Sequence, residues 1–119
     1  SEVLAQDVAE FGVKVTVVAP GAFRTNFLNA DSINIAQHTI PEYTEMHNAQ
    51  KMLLQKDGQQ IGDPAKAAAA IIEIAYSENP PLYLLLGDDA YSRAMTKLDR
   101  LKKDYLLNEE LSKAMAYNG

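Results

Sequence analysis

Two histidines, two glycines, an arginine, a threonine and a Pro-Gly pair are the residues of this chain whose types and spacing bear on chemistry. His38 and His47 stand nine residues apart, with Glu42 and Glu45 nearby. That separation is two and a half helical turns, which turns the two imidazoles apart, and no H-E-x-x-H spacing exists to gather a metal. They read as solvated or loop histidines, and no metal site is expected. Gly58 and Gly62 begin a glycine spacing, but the next position a phosphate cradle needs is filled by Pro64. The remaining candidate is Pro20-Gly21, followed by Phe23, Arg24 and Thr25. A Pro-Gly dipeptide alone marks a turn. Glycine there lets the main chain approach a ligand closely, and Thr25 offers a hydroxyl. Arg24 is placed either to meet a phosphate or to lie on a solvated surface.

These residues need elements to hold them. Val3, Leu4, Val8 and Phe11 fall on one side of a helical wheel over residues 2–11, and Gly12 follows where a left-handed cap belongs. Val13–Val18 is β-branched at five of six positions and reads as a strand ended by Pro20 and Gly21. Leu82–Leu86 is a second apolar run, bounded by Pro80, Pro81 and Gly87, and its uniform apolarity suits a strand covered on both faces. The spacing predicts a helix over 41–56, with Pro41 in its first turn. Asp63 and Pro64 open another, as N-cap and first helical residue, and its run Ala67–Ala70 permits close packing on a sheet. Asp88 is expected to cap a helix with the stripe Tyr91, Met95, Leu98, Leu101 and Tyr105, and a short helix is expected from Asn108 to Met115. Arg100, Lys102 and Lys103 are offset by Asp99 and Asp104, as on a solvated face.

Composition bounds what this layout can do. At 119 residues the chain is one domain or part of one, and a compact fold of this mass buries roughly two-thirds of its unfolded surface. A net charge of −5 has the wrong sign for a phosphate backbone, so nucleic-acid binding is not expected. Cysteine is absent, which removes disulfides, thiolate-bound zinc and thiol catalysis, and fits a reducing cytoplasm. No stretch approaches the apolar length of a membrane span, and the first residues lack signal-peptide character. The expectation is a cytoplasmic protein with no membrane partner. Two short strands joined by a long crossover make a very small parallel sheet, so the chain reads as incomplete.

Residues 1–27, SEVLAQDVAEFGVKVTVVAPGAFRTNF, resemble the segment of short-chain dehydrogenases/reductases that follows their catalytic Tyr-x-x-x-Lys. The later order also resembles that family's C-terminal half: a variable substrate loop, a D-P-A helix, a last apolar strand and a closing helix. The resemblance implies a partial Rossmann-like, doubly wound α/β fold with two parallel strands and about five helices, organised as one partial domain. Residues 1–28 carry the end of the catalytic helix, the strand and the Pro-Gly motif, 29–62 the substrate loop, and 63–119 the C-terminal helix-strand-helix. Ile33, Ile35, Ile40, Met46, Met52, Leu53 and Leu54 would line the mobile loop over the substrate, with ordinary packing of one helix as the alternative for Met52, Leu53 and Leu54.

Matched by position, the resemblance gives Pro20 and Gly21 the turn beside a nicotinamide. It gives the main chain at Phe23 the hydrogen bonds to the carboxamide, and the Thr25 hydroxyl a contact to the carboxamide or the pyrophosphate. The family also uses a Gly-rich TGxxxGxG turn, and a tyrosine acid/base four residues before a lysine. Neither occurs here: the six tyrosines are followed at that distance by His47, Pro80, Gly87, Met95, Glu109 and, for Tyr117, nothing. No catalytic residue is therefore assigned within the chain. The implied parent is an NAD- or NADP-dependent oxidoreductase acting on an alcohol or ketone. The 119 residues alone are expected to be inactive and to need the missing N-terminal half or another copy of the chain. The alternatives are a non-catalytic helical interaction module derived from such an enzyme, or a truncation product with no function of its own.

Overall fold

A proline decides where the sheet begins. In the computed structural model, which describes residues 1–29, 31–34 and 40–117, strand β1 is Val17–Pro20 and strand β2 is Tyr83–Leu86. They pair in parallel, with Val17 opposite Tyr83 and Pro20 opposite Leu86. The first strand thus starts at Val17 rather than Val13 and runs on through Pro20. On the facing segment alternation turns the nitrogen of Pro80 toward β1, where it has no N–H to extend the ladder upstream. Side chains tie the chain there instead: the Lys14 ammonium donates to the Glu78 carbonyl, and Thr16 Oγ1 donates to the Pro81 carbonyl at 2.8 Å. Val17 and Gly21 donate their N–H groups to the carbonyls of Leu82 and Leu86 at 2.7 and 2.8 Å. By alternation the nitrogen of Pro20 faces the opposite edge, where its missing N–H breaks no bond.

Among the described residues five α-helices accompany the two strands, giving the partial doubly wound α/β arrangement that the resemblance implies. Helix α1, Glu2–Val8, tightens into a 3₁₀ turn at Ala9–Phe11 and ends at Gly12, whose φ of 71° is the left-handed cap. Helix α2, Thr44–Leu54, follows a 3₁₀ turn over Pro41–Tyr43. In helix α3, Pro64–Ala75, the Asp63 carboxylate accepts from the Ala65 N–H at 2.9 Å, as a capping residue should. Helix α4 spans Asp88–Leu107 and α5 spans Glu109–Lys113. The cap of α4 is Gly87, at φ 102°, and not Asp88. Asp88 and Asp89 both lie inside the first turn, where acidic side chains favour the positive end of the helix dipole.

The core is half built. Among the described residues no apolar side chain is fully buried, and Gln60 alone is buried, at 7% exposure. Leu84, Leu85 and Leu86 are half-buried, as are Ala67, Ala70 and Ile74 on α3. A groove lined by Thr16, Val18, Ile71, Ile74, Pro80 and Leu84 lies between the later part of α3 and the sheet. Val3 and Leu4 on α1 and Phe11 in the turn after it are exposed, and the helix's tie to the sheet is polar: the Tyr83 hydroxyl donates to the Glu2 carboxylate. That bond, with smaller contributions from burial and from the Glu2 charge, raises the Tyr83 pKa above the ordinary phenol value. The accessible surface is 10362 Å², where a compact protein of this mass shows about 6,400 Å². The radius of gyration is 20.3 Å against about 14 Å for a compact domain of this length.

Candidate functional site

The turn that ends β1 is held from three directions. The end of β2 takes the Gly21 N–H, as above. From the first turn of α4, Asp89 Oδ2 accepts from the Ala22 N–H at 2.9 Å. From the segment before α3, the Gly62 N–H donates to the Ala22 carbonyl at 3.1 Å, and the Gly62 carbonyl accepts from the Arg24 N–H at 2.9 Å. These two bonds form an isolated parallel bridge between Phe23 and Gly62. A Cβ on Gly62 would lie 2.7 Å from the Ala22 carbonyl oxygen and 2.7 Å from Phe23 Cδ1, so only glycine lets the two segments meet.

The bridge sets the direction of Phe23. Ala22 and Arg24 use their inward groups on Gly62, so the N–H and C=O of Phe23 point the other way. Among the described residues neither has a hydrogen-bond partner. The result is one main-chain donor beside one main-chain acceptor on a half-buried residue, beyond the C-terminal end of a parallel strand. Thr25 follows with an extended backbone and caps the 3₁₀ turn Asn26–Leu28, its Oγ1 accepting from the Phe27 N–H at 3.3 Å. That bond uses a lone pair and leaves the hydroxyl proton free to donate. Arg24, read from the sequence as either a phosphate contact or a surface residue, is exposed and donates through Nε to the Gln60 carbonyl at 3.1 Å.

Pro20, Gly21, Phe23 and Thr25 therefore stand together at one strand end, and what organises them comes from far along the chain. Sequence reasoning missed Asp89 and the role of Gly62, which it weighed only as part of a phosphate loop. The one signal for Gly62 was its place just before the Asp63 cap. His47 sits on α2, half-buried, and its Nε2 has no partner among the described residues, nor does Gln60 Oε1. His38 and Ile35 lie outside the described residues. Ile33 and Leu54 are half-buried, while Ile40, Met46, Met52 and Leu53 are exposed. Among the described residues no three His, Cys, Asp or Glu side chains cluster as metal ligands.

A short-chain dehydrogenase from Streptomyces avermitilis shares this architecture over 98% of the chain, with a TM-score of 0.76 and 39% sequence identity. The chain belongs to the short-chain dehydrogenase/reductase family. Oxidoreductase BOA17 of Botryotinia fuckeliana is 33% identical over 116 residues, and a 3-ketodihydrosphingosine reductase of Bacteroides thetaiotaomicron is 31% identical over 87. No protein-family model matches the chain. The chain covers 41% of the Streptomyces dehydrogenase and 42% and 32% of the two curated relatives, so it spans at most about two-fifths of the length of these proteins. It corresponds to a C-terminal portion of the short-chain dehydrogenase/reductase fold.

Proposed function

We propose that this chain is the C-terminal part of an NAD- or NADP-dependent short-chain oxidoreductase acting on an alcohol or ketone, and that it contributes the ledge for the nicotinamide. One observation carries the reading: the unpartnered N–H and C=O of Phe23. A primary carboxamide presents one acceptor oxygen and one N–H donor, which is the complement of that pair. The residues present fit the nicotinamide end of the cofactor, with Phe23 holding the carboxamide, Thr25 donating its free hydroxyl proton, and Pro20 and Gly21 forming the turn beneath. When bound, the cofactor supplies the hydride chemistry at the alcohol or carbonyl carbon. The phosphate-binding Gly turn and the Tyr-x-x-x-Lys pair belong to the rest of the enzyme in this reading, and the 119 residues are inactive alone.

The remaining assignments follow from it. Residues 1–119 form one partial domain, with 29–62 as the substrate loop. The uncovered faces of α1 and the sheet are taken by the N-terminal half, or by a second copy of the chain. No helix among the described residues is long and apolar enough to cross a membrane, and the reading places the enzyme in the cytoplasm. The exposed stripes of α1 and α4 favour a second reading, a non-catalytic module that binds a partner through those helices.

Amide NMR on the isotope-labelled intact enzyme tests the first reading. Adding NAD(H) or NADP(H) should shift the Phe23 amide strongly, and adding ADP-ribose, which lacks the nicotinamide, should leave it in place. A Phe23 amide that ignores the dinucleotide would overturn the assignment and favour the partner-binding module.

A further inference from the structure

The first turn of α4 does more than start a helix. Asp89 sends its carboxylate back across the chain to residues 67 positions earlier, where Oδ2 accepts the Ala22 N–H at 2.9 Å. The carboxylate also fills the room left by two glycines. A Cβ built on Gly21 would stand 1.8 Å from Asp89 Oδ1 and 2.4 Å from Cγ, and one on Gly87 would stand 2.8 Å from Oδ1. The absence of a side chain at Gly21 thus makes space for Asp89, a different reason from the close ligand approach that a Pro-Gly motif suggests. Arg93, one helical turn on, reaches Oδ2 at 3.4 Å, but its side chain is 79% exposed, so this pair adds little.

Ala22 is consequently gripped at both of its peptide groups, its N–H by Asp89 and its C=O by Gly62. It is the residue before Phe23. The plane of the peptide between Ala22 and Phe23 carries the Phe23 N–H, and that plane is fixed by the two grips together. Gly62 alone would leave one end of Ala22 free to turn.

We propose that Asp89 is a positioning residue: its carboxylate, acting through Ala22, aims the Phe23 main chain and so sets the enzyme's hold on the nicotinamide end of the cofactor. The inference rests on the reading of the Pro20–Thr25 segment as the nicotinamide ledge. It makes α4, an element that holds no candidate ligand contact, part of the machinery that reads the nicotinamide.

The test measures two affinities in the intact enzyme, for NADH or NADPH and for ADP-ribose. Asp89→Ala should weaken the dinucleotide about tenfold, the loss of roughly one hydrogen bond to a charged group, and leave ADP-ribose unchanged. Asp89→Asn keeps an acceptor oxygen in place and should recover most of the loss. Asp89→Glu keeps the charge but misplaces the oxygen by one methylene, and carries the test should the alanine variant not fold. Gly21→Ala should reproduce the tenfold loss by displacing the carboxylate, and should add nothing further in an Asp89→Ala background. A parallel weakening of both ligands would show that Asp89 is merely structural, and no change in either would remove it from the site; both overturn the inference and leave the ledge standing. A wild-type enzyme that binds ADP-ribose and dinucleotide equally would instead sink the ledge reading, and this inference with it.

Discussion

The turn after β1 and the tail of the molecule are almost equally open to solvent, yet they are held in different ways. Ala22, Arg24 and Thr25 are exposed, as is every described residue from Lys102 onward. The turn nevertheless has its main chain fastened by β2, by Asp89 and by Gly62. From Lys102 on, the hydrogen bonds that hold the tail are local, such as Asn108 Nδ2 to the Asp104 carbonyl at 2.9 Å and the Lys113–Glu109 pair. Where no apolar side chain among the described residues is fully buried, the turn takes its position from directed hydrogen bonds more than from packing. The turn is therefore shaped without a packed core around it, while the apolar side chains of the tail stay uncovered.

The largest effect that could break this comparison belongs to Gly62. Its added methyl would meet backbone at 2.7 Å, and a main chain cannot yield as a side-chain tip can. Gly62→Ala should cost about 1–3 kcal/mol, the usual range for overpacking, and strip exchange protection from the Arg24 amide. Hydrogen exchange of the intact enzyme reads both, and an Arg24 amide as protected as in the wild type would show that the bridge does not hold the turn. At the tail, Leu106→Ser with Leu107→Ser should change stability of the 119-residue chain by less than about 0.5 kcal/mol, as surface substitutions do. A larger loss in a denaturant melt would show that α4 has a packed neighbour.

The smallest effect concerns Tyr83 and Glu2. The folded-state pKa of Tyr83 is raised, so its contribution to stability is fully present below the ordinary phenol value of 10.0 and is lost as pH rises through the folded value. Phenolate absorbance should show a Tyr83 phase above the ordinary phenol value of 10.0, and Tyr83→Phe should abolish that late phase. A Tyr83 phase at the ordinary phenol value would dissolve the tie between α1 and β2.

Much of the fold was legible in the residues because its signals are local. Asp63-Pro64 carries its own capping geometry, Gly12 its own left-handed φ, and the apolar run before Gly87 its own strand. Where β1 begins was not legible in Val13–Val18, since strand limits belong to a pair and the proline that sets this one lies at 80. The same holds at the site. Pro20, Gly21, Phe23 and Thr25 could be named from a motif, but which groups of Phe23 stay free depends on Gly62. Asp89 was invisible because nothing in its neighbourhood announces a contact 67 residues away.

The central claim is that these residues make a ledge that binds cofactor only when the rest of the enzyme covers it. Calorimetric titration of NAD(H) and NADP(H) into the 119-residue chain, and then into the chain mixed with the preceding part of the protein, tests this most directly. The account predicts no saturable binding by the chain alone at millimolar cofactor and saturable binding by the mixture. Micromolar binding by the chain alone, or a mixture as inert as the chain while the intact enzyme binds, would contradict it.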